Sequence, residues 1–180
     1  DCGFPASKIV FAGVGKTDKE IKIGLDNGIF CFNVESLPEM DAIERLASEA
    51  GKIAPVALRI NPNVDAHTHR YITTGLENKF GLNEPDLPKA IELIARSNHL
   101  KLVGMHFHIG SQITDLSSFE DLCVKAVELQ NWFSGQGISF EIINVGGGLG
   151  INYHHPNHCP VADFEAYFRL FAKYLKLQDN

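Results

Sequence analysis

Leu102-Val103-Gly104-Met105-His106-Phe107-His108-Ile109 reads as a strand that is apolar nearly throughout, and Gly110-Ser111-Gln112 follows it at once. A run of this kind suits a strand buried on both faces, the situation of a parallel sheet. Four more β-rich runs flank it: Lys8–Ala12, Ile29–Val34, Pro55–Ile60 and Phe140–Val145.

Helical patterns fill the spaces between the runs. Thr17-Asp18-Lys19-Glu20 is a capping box ahead of Ile21, Ile23 and Leu25, and Gly28 closes that helix. Ser36, with Glu39 three residues on, starts a second helix whose stripe is Met40, Ile43, Leu46 and Ala47. Asp86 opens a third, and Ser117 or Ser118 opens a long fourth through Phe119, Leu122, Val127, Leu129 and Trp132. Ala162 to Leu175 forms a fifth, with Phe164, Tyr167, Phe168 and Phe171 as a core stripe. Strand–helix alternation with short turns predicts an α/β fold with a parallel sheet. A doubly wound sheet and a (β/α)8 barrel both satisfy it. Five units are fewer than a barrel of about 250 residues needs, so the barrel reading implies an incomplete (β/α)8 domain. Asp1-Cys2-Gly3-Phe4-Pro5 reads as a turn leaving a helix, and no strand follows Leu177, so we expect a longer parent protein.

Polar residues gather where the strands end, the side that carries ligands in either architecture. Gly146-Gly147-Gly148 directly follows a strand. Glycines there let the backbone approach an anion and aim N–H groups at it, although a flexible turn has the same composition. The pattern is neither Gly-x-Gly-x-x-Gly opening a helix nor a Gly-Lys-Ser/Thr loop, which disfavours a Rossmann site and a P-loop. His106 and His108, two apart on a strand, point to one side of it. We take His106 as a buried structural residue and His108, nearer the strand end, as the functional one. Arg59 lies late in a buried strand and needs a partner, either a ligand oxygen or a structural carboxylate. Lys16, before a helix, is read as a loop lysine. His67 and His69 fall in a long loop, and His154, His155, His158 and Cys159 in a tract broken by Pro156 and Pro160, so no metal site is assigned.

Composition narrows the classes further. A formal net charge of −6 argues against a nucleic-acid partner. No apolar run is long enough to span a bilayer as a helix, so no membrane partner is expected. Cys2, Cys31, Cys123 and Cys159 form no Cys-x-x-Cys pair and are read as reduced thiols in a cytoplasmic protein.

Four segments together resemble one family. They are Arg59-Ile60-Asn61-Pro62-Asn63-Val64-Asp65, Thr74-Gly75-Leu76-Glu77-Asn78-Lys79-Phe80-Gly81, His106 to Ile113, and Asn144-Val145-Gly146-Gly147-Gly148-Leu149-Gly150. In order and spacing they are similar to the barrel decarboxylases that use pyridoxal 5'-phosphate, and to the diaminopimelate decarboxylase branch in particular. The histidine and triple-glycine elements are shared with relatives acting on ornithine or arginine. The resemblance implies a TIM-like barrel and decarboxylation of meso-2,6-diaminopimelate to L-lysine and CO2. It implies that His108, its one catalytic assignment here, stacks on the cofactor ring. Ser111 and the backbone of Gly146, Gly147 and Gly148 hold the phosphate, and Arg59 reaches the phenolic oxygen. It also implies a small amino-acid substrate and a homodimeric parent enzyme.

The same resemblance implies what to look for and not find. The family's Schiff-base lysine sits in an Ala-Val-Lys-Ala-Asn-like motif on an early strand, and that motif is absent from these 180 residues. A Glu-Pro-Gly-Arg-like segment and a following β-rich domain are absent too. The runs then correspond to the third to seventh barrel strands, residues 1–180 form a partial cofactor-binding barrel, and this stretch alone is expected to be inactive. Other amino-acid decarboxylases of the fold (ornithine, arginine or carboxynorspermidine type) and a non-catalytic barrel that binds the cofactor are the alternatives.

Overall fold

A computed structural model describes residues 3–64, 80–155 and 162–175. The described chain falls into two compact units. The first holds the residues up to Asn61 together with Phe80–His106 and Phe140–Asn144; the second holds Phe107–Ser139 and the segment from Val145 onward.

The first unit carries the sheet. Its strands are β1 (Val10–Phe11), β2 (Cys31–Val34), β3 (Ala54–Arg59), β4 (Leu100–His106) and β5 (Ile142–Asn144). Each pairs in parallel with the next, so the order in space is the order in sequence. This is the order of a barrel wall, and it excludes the strand-order reversal of a doubly wound sheet. A register shift at Val56/Ala57 lets β4 run one residue ahead of β3. Gly104 makes the β4–β5 approach possible: a Cβ there would lie 2.3 Å from the Ile142 carbonyl oxygen.

Three helices belong to the same unit: α1 (Asp18–Asn27), α2 (Leu37–Glu49) and α3 (Leu87–Arg96). Thr17 forms both bonds of its capping box with Glu20, and Gly28 ends α1 in the left-handed conformation with φ 62°. Ser36 caps α2 by accepting the Glu39 N–H. Asp86 stands at the N-terminus of α3, but its carboxylate turns back to the Asn83 N–H. Ile21, Leu25, Met40, Ile43 and Leu46 are buried, and the Phe32 ring lies under Gly24, where a Cβ would come within 2.7 Å of it. Cys31, Ala57 and Val103 form a separate small cluster, with Val10 and Phe30 packed on it.

The second unit is built on α4 (Ser117–Gly135) and α5 (Phe164–Tyr174). Phe119 meets Tyr167 edge-on at 5.0 Å between ring centroids. The aromatic stripe expected on α5 is only half core. Tyr167 is buried, whereas Phe164 and Phe168 are 61% and 66% exposed. Trp132, placed in the α4 stripe by its spacing, is also partly exposed, at 38%.

Several strand limits differ from the sequence reading. β1 is two residues long because a 3-10 turn at Ala6–Lys8 takes the first part of that run. β4 stops at His106, which pairs with Asn144, the last residue of β5. His108 therefore lies beyond the strand, and the alternation of faces that paired it with His106 does not apply.

Candidate functional site

The first unit brings four charged side chains together at the ends of β1, β2 and β3. Arg59, the last residue of β3, donates from Nη1 to Glu35 Oε2. The partner it needs is thus an internal carboxylate, and the pair is well covered, with side-chain exposures of 15% and 4%. Glu35 follows β2 directly, and its other oxygen accepts the Gly13 N–H at 3.2 Å. Among the described residues, no other group takes the remaining Arg59 N–H donors.

Lys16 lies in the loop just before α1, as its position suggests, but it is not solvated. Its side chain is 1% exposed. Nζ donates to Gly13 O and Asn33 O, both at 2.7 Å, and to Glu39 Oε1 at 2.6 Å. It also stands 5.5 Å from the Phe11 ring centroid. Glu39 Oε2 in turn accepts the Glu35 N–H at 2.9 Å. No local pattern signals this cluster, because it joins a loop, two strand ends and a helix.

The second unit places the histidine segment against the triple glycine. Ile113 and Leu149 form a parallel bridge. Ile113 N–H donates to Gly148 O, and Gly150 N–H donates to Ile113 O, both at 2.8 Å. Gln112 adds a side-chain clamp, donating to Ile151 O at 2.8 Å and accepting its N–H at 2.9 Å. Gln112 does so with φ at 57°, a conformation that costs a non-glycine residue about 1–2 kcal/mol. Nothing in the local sequence signals this clamp, because Gln112 and Ile151 lie 39 positions apart.

Two of the three glycines are there because nothing else fits. At Gly146 (φ 76°) a Cβ would be 2.4 Å from Phe107 O and 3.4 Å from His108 Nδ1. At Gly148 (φ 101°) it would be 2.0 Å from Gly110 O. Gly147 differs: a Cβ there meets nothing within 4 Å. Among the described residues, no acceptor takes the N–H of Gly147 or Gly148. The loop is therefore rigidly backed, open at its middle residue, and carries unclaimed donors. That is the form of an anion cradle, and it fits a phosphate monoester. Ser111 is exposed one residue after Gly110, and His108 is half-buried.

His106 is buried at the end of β4, and its carbonyl accepts the Ile60 N–H at 2.9 Å. His154 and His155 are exposed. Among the described residues, no three His, Cys, Asp or Glu side chains gather as a metal site, and no helix is long and apolar enough to cross a membrane. His67, His69, His158, Cys2, Cys159 and the stretch 65–79, which carries most of the second matching segment, lie outside the described residues.

Parallel strands ordered as a barrel wall define an α/β protein of the barrel class. Residues 1–178 match the family model described as pyridoxal-dependent decarboxylase, pyridoxal binding domain, and the chain belongs to that family. It is 56% identical over 177 residues to a diaminopimelate decarboxylase of Bacteroides thetaiotaomicron, covering 98% of this chain and 46% of that one. It is 45% identical over 172 residues to one from Neisseria meningitidis serogroup B, covering 95% and 41%. Among solved structures, Helicobacter pylori diaminopimelate decarboxylase complexed with L-lysine superposes with a TM-score of 0.81 at 35% identity, covering 94% of this chain and 44% of that one. The chain spans less than half the length of these relatives.

Proposed function

We propose that these residues belong to a cytoplasmic, homodimeric enzyme that decarboxylates meso-2,6-diaminopimelate to L-lysine with pyridoxal 5'-phosphate. The observation that carries the reading is the Gly146–Gly148 loop, rigidly backed by the 107–113 segment and open at Gly147. By the family resemblance, the N–H groups of the glycines and the Ser111 hydroxyl would hold the phosphate. His108 would contact the cofactor ring. Arg59, which Glu35 neutralises on one side, would donate to the phenolic oxygen. When bound, the cofactor supplies the electron sink for the pair released as the α-carboxylate leaves as CO2. The chain's own contribution is orientation and a fixed electrostatic frame. The family's Schiff-base lysine has no counterpart in residues 1–180, and Lys16 cannot substitute, because its ammonium is buried and fully engaged.

The test is release of CO2 by the full-length, cofactor-loaded protein offered meso-diaminopimelate, L-ornithine, L-arginine and carboxynorspermidine in parallel. Turnover of diaminopimelate well above the rest is expected. Preference for another substrate assigns a different decarboxylase. Cofactor binding with no turnover of any of the four assigns a non-catalytic barrel.

A further inference from the structure

We infer that Lys16 and Glu39 are positioning residues that act through Glu35 to hold the Arg59 guanidinium in place for the cofactor. The inference rests on the role given to Arg59 above.

The chain of contacts is continuous. Lys16 has three N–H donors, and all three are used: on Gly13 O, Asn33 O and Glu39 Oε1. It thereby ties the loop after β1 to the end of β2 and to the first turn of α2. Glu39 splits its carboxylate between the Lys16 ammonium and the Glu35 N–H. Glu35 is then fixed at its backbone from both sides, since its carbonyl accepts the Gly81 N–H at 3.2 Å. Its side chain is fixed by the Gly13 N–H and faces Arg59. Gly81 also closes on Arg59 itself, because a Cβ there would lie 3.1 Å from Arg59 O.

Lys16 and Arg59 supply two positive charges, and Glu35 and Glu39 two negative ones, so the cluster is neutral as a whole. Stability is a poor reason for burying it. Desolvating four charges offsets much of their mutual attraction, and apolar residues of similar size commonly do as well. What a cluster of directed, charge-assisted bonds provides is geometry. Here that geometry ends at one group, the guanidinium, which Glu35 holds by one nitrogen.

The experiment uses the full-length protein loaded with pyridoxal 5'-phosphate and reads the pH midpoint of the cofactor's visible absorption band. A cation at the phenolic oxygen favours its ionised form, so a guanidinium let loose raises the midpoint. Lys16→Met is expected to raise it by about half a pH unit or more. Lys16→Arg, which keeps the charge, leaves the midpoint close to the wild-type value. In an Arg59→Met background Lys16→Met adds no further shift, because the cation it positions is already gone. Glu39→Asp retains charge and shortens the link, and gives the same readout if Lys16→Met does not fold. A loaded, folded variant with an unmoved midpoint overturns the inference, and so does an equal shift in both Arg59 backgrounds. If the wild-type protein takes up no cofactor, the function proposed above falls, and the positioning role falls with it.

Discussion

A Cβ on Gly148 would stand 2.0 Å from the Gly110 carbonyl oxygen, while a Cβ on Gly147 would touch nothing within 4 Å. The two glycines are neighbours with opposite reasons for being glycine. Gly148→Ala forces the loop off the histidine segment and also strains a left-handed residue, so a loss of about 2–4 kcal/mol is expected. Gly147→Ala should leave thermal unfolding within about 0.5 kcal/mol of wild type, yet weaken cofactor binding, since its methyl enters the open space proposed for the phosphate. Differential scanning calorimetry and equilibrium dialysis with pyridoxal 5'-phosphate separate the two. Equal loss of stability in both variants would remove the cradle from the account.

Glu35 and Arg59 should show the asymmetry of a covered ion pair. Glu35→Ala leaves the guanidinium without its counter-charge and is expected to cost about 3–5 kcal/mol. Removing both partners, as Glu35→Ala with Arg59→Met, should cost less than Glu35→Ala alone. Urea denaturation of the single and double variants measures this directly. Additive losses would mean that the pair contributes only through packing.

What the sequence made legible is what local chemistry decides. The Thr17–Glu20 capping box, the Ser36 cap and the left-handed Gly28 each depend on residues a few positions apart, and each forms as expected. Alternation with short connections made the parallel sheet legible but left its strand order open between a doubly wound sheet and a barrel wall, which the observed order β1 to β5 decides. Strand ends depend instead on a distant partner. β4 ends at His106 because β5 ends at Asn144, and nothing between Leu102 and Ile109 announces that limit. Lys16 does lie in the loop before α1, but its burial is hidden from the sequence for the same reason. Its acceptors on Asn33 and Glu39 lie 17 and 23 positions away, so its burial is a tertiary fact. Of the site residues, the glycines and Gly110 could be anticipated from backbone freedom, but the clamp by Gln112 and the Glu35 partnership could not.

The buried thiols give a pH prediction. Burial pushes Cys31 up to about 11 and, with a smaller contribution from the nearby Glu120 charge, Cys123 up to about 12. An unfolded thiol ionises near 8.5. The folded-state values are raised, so the unfolded chain binds fewer protons between pH 9 and 11. Their contribution to stability is fully present below about pH 8.5 and is lost as pH rises through the folded-state values, at up to about 1.4 kcal/mol per unit for each thiol. Unfolding midpoints measured from pH 8 to 10.5 should fall, and Cys31→Ala with Cys123→Ala should fall less steeply. Alkylation of either thiol by iodoacetamide at pH 8 should need global unfolding. Rapid labelling of the native protein would show that one of them is not shielded.

Residues 1–180 produced alone should self-associate. β1 and β5 are the outer strands of the described sheet, and each has a pairing edge with no strand beside it among the described residues. Unpaired edges of buried-type strands recruit further strands. Beside β1 lies an apolar hollow of about 760 Å³, lined in part by Phe4, Ile9, Phe11, Ile23 and Ile29. Phe4 is 77% exposed and Ile23 52%. Contiguous apolar surface of that kind adds a hydrophobic drive to the edge pairing. Light scattering of the isolated 180-residue polypeptide should therefore report species larger than the 19.9 kDa monomer even at low micromolar concentration. Phe4→Asp with Ile23→Glu should reduce the association without changing the helix content read by circular dichroism, because both residues already face solvent. The full-length protein should show no such dependence on these two positions. A monomeric 180-residue polypeptide, or association untouched by the double substitution, would rule out this surface as its cause.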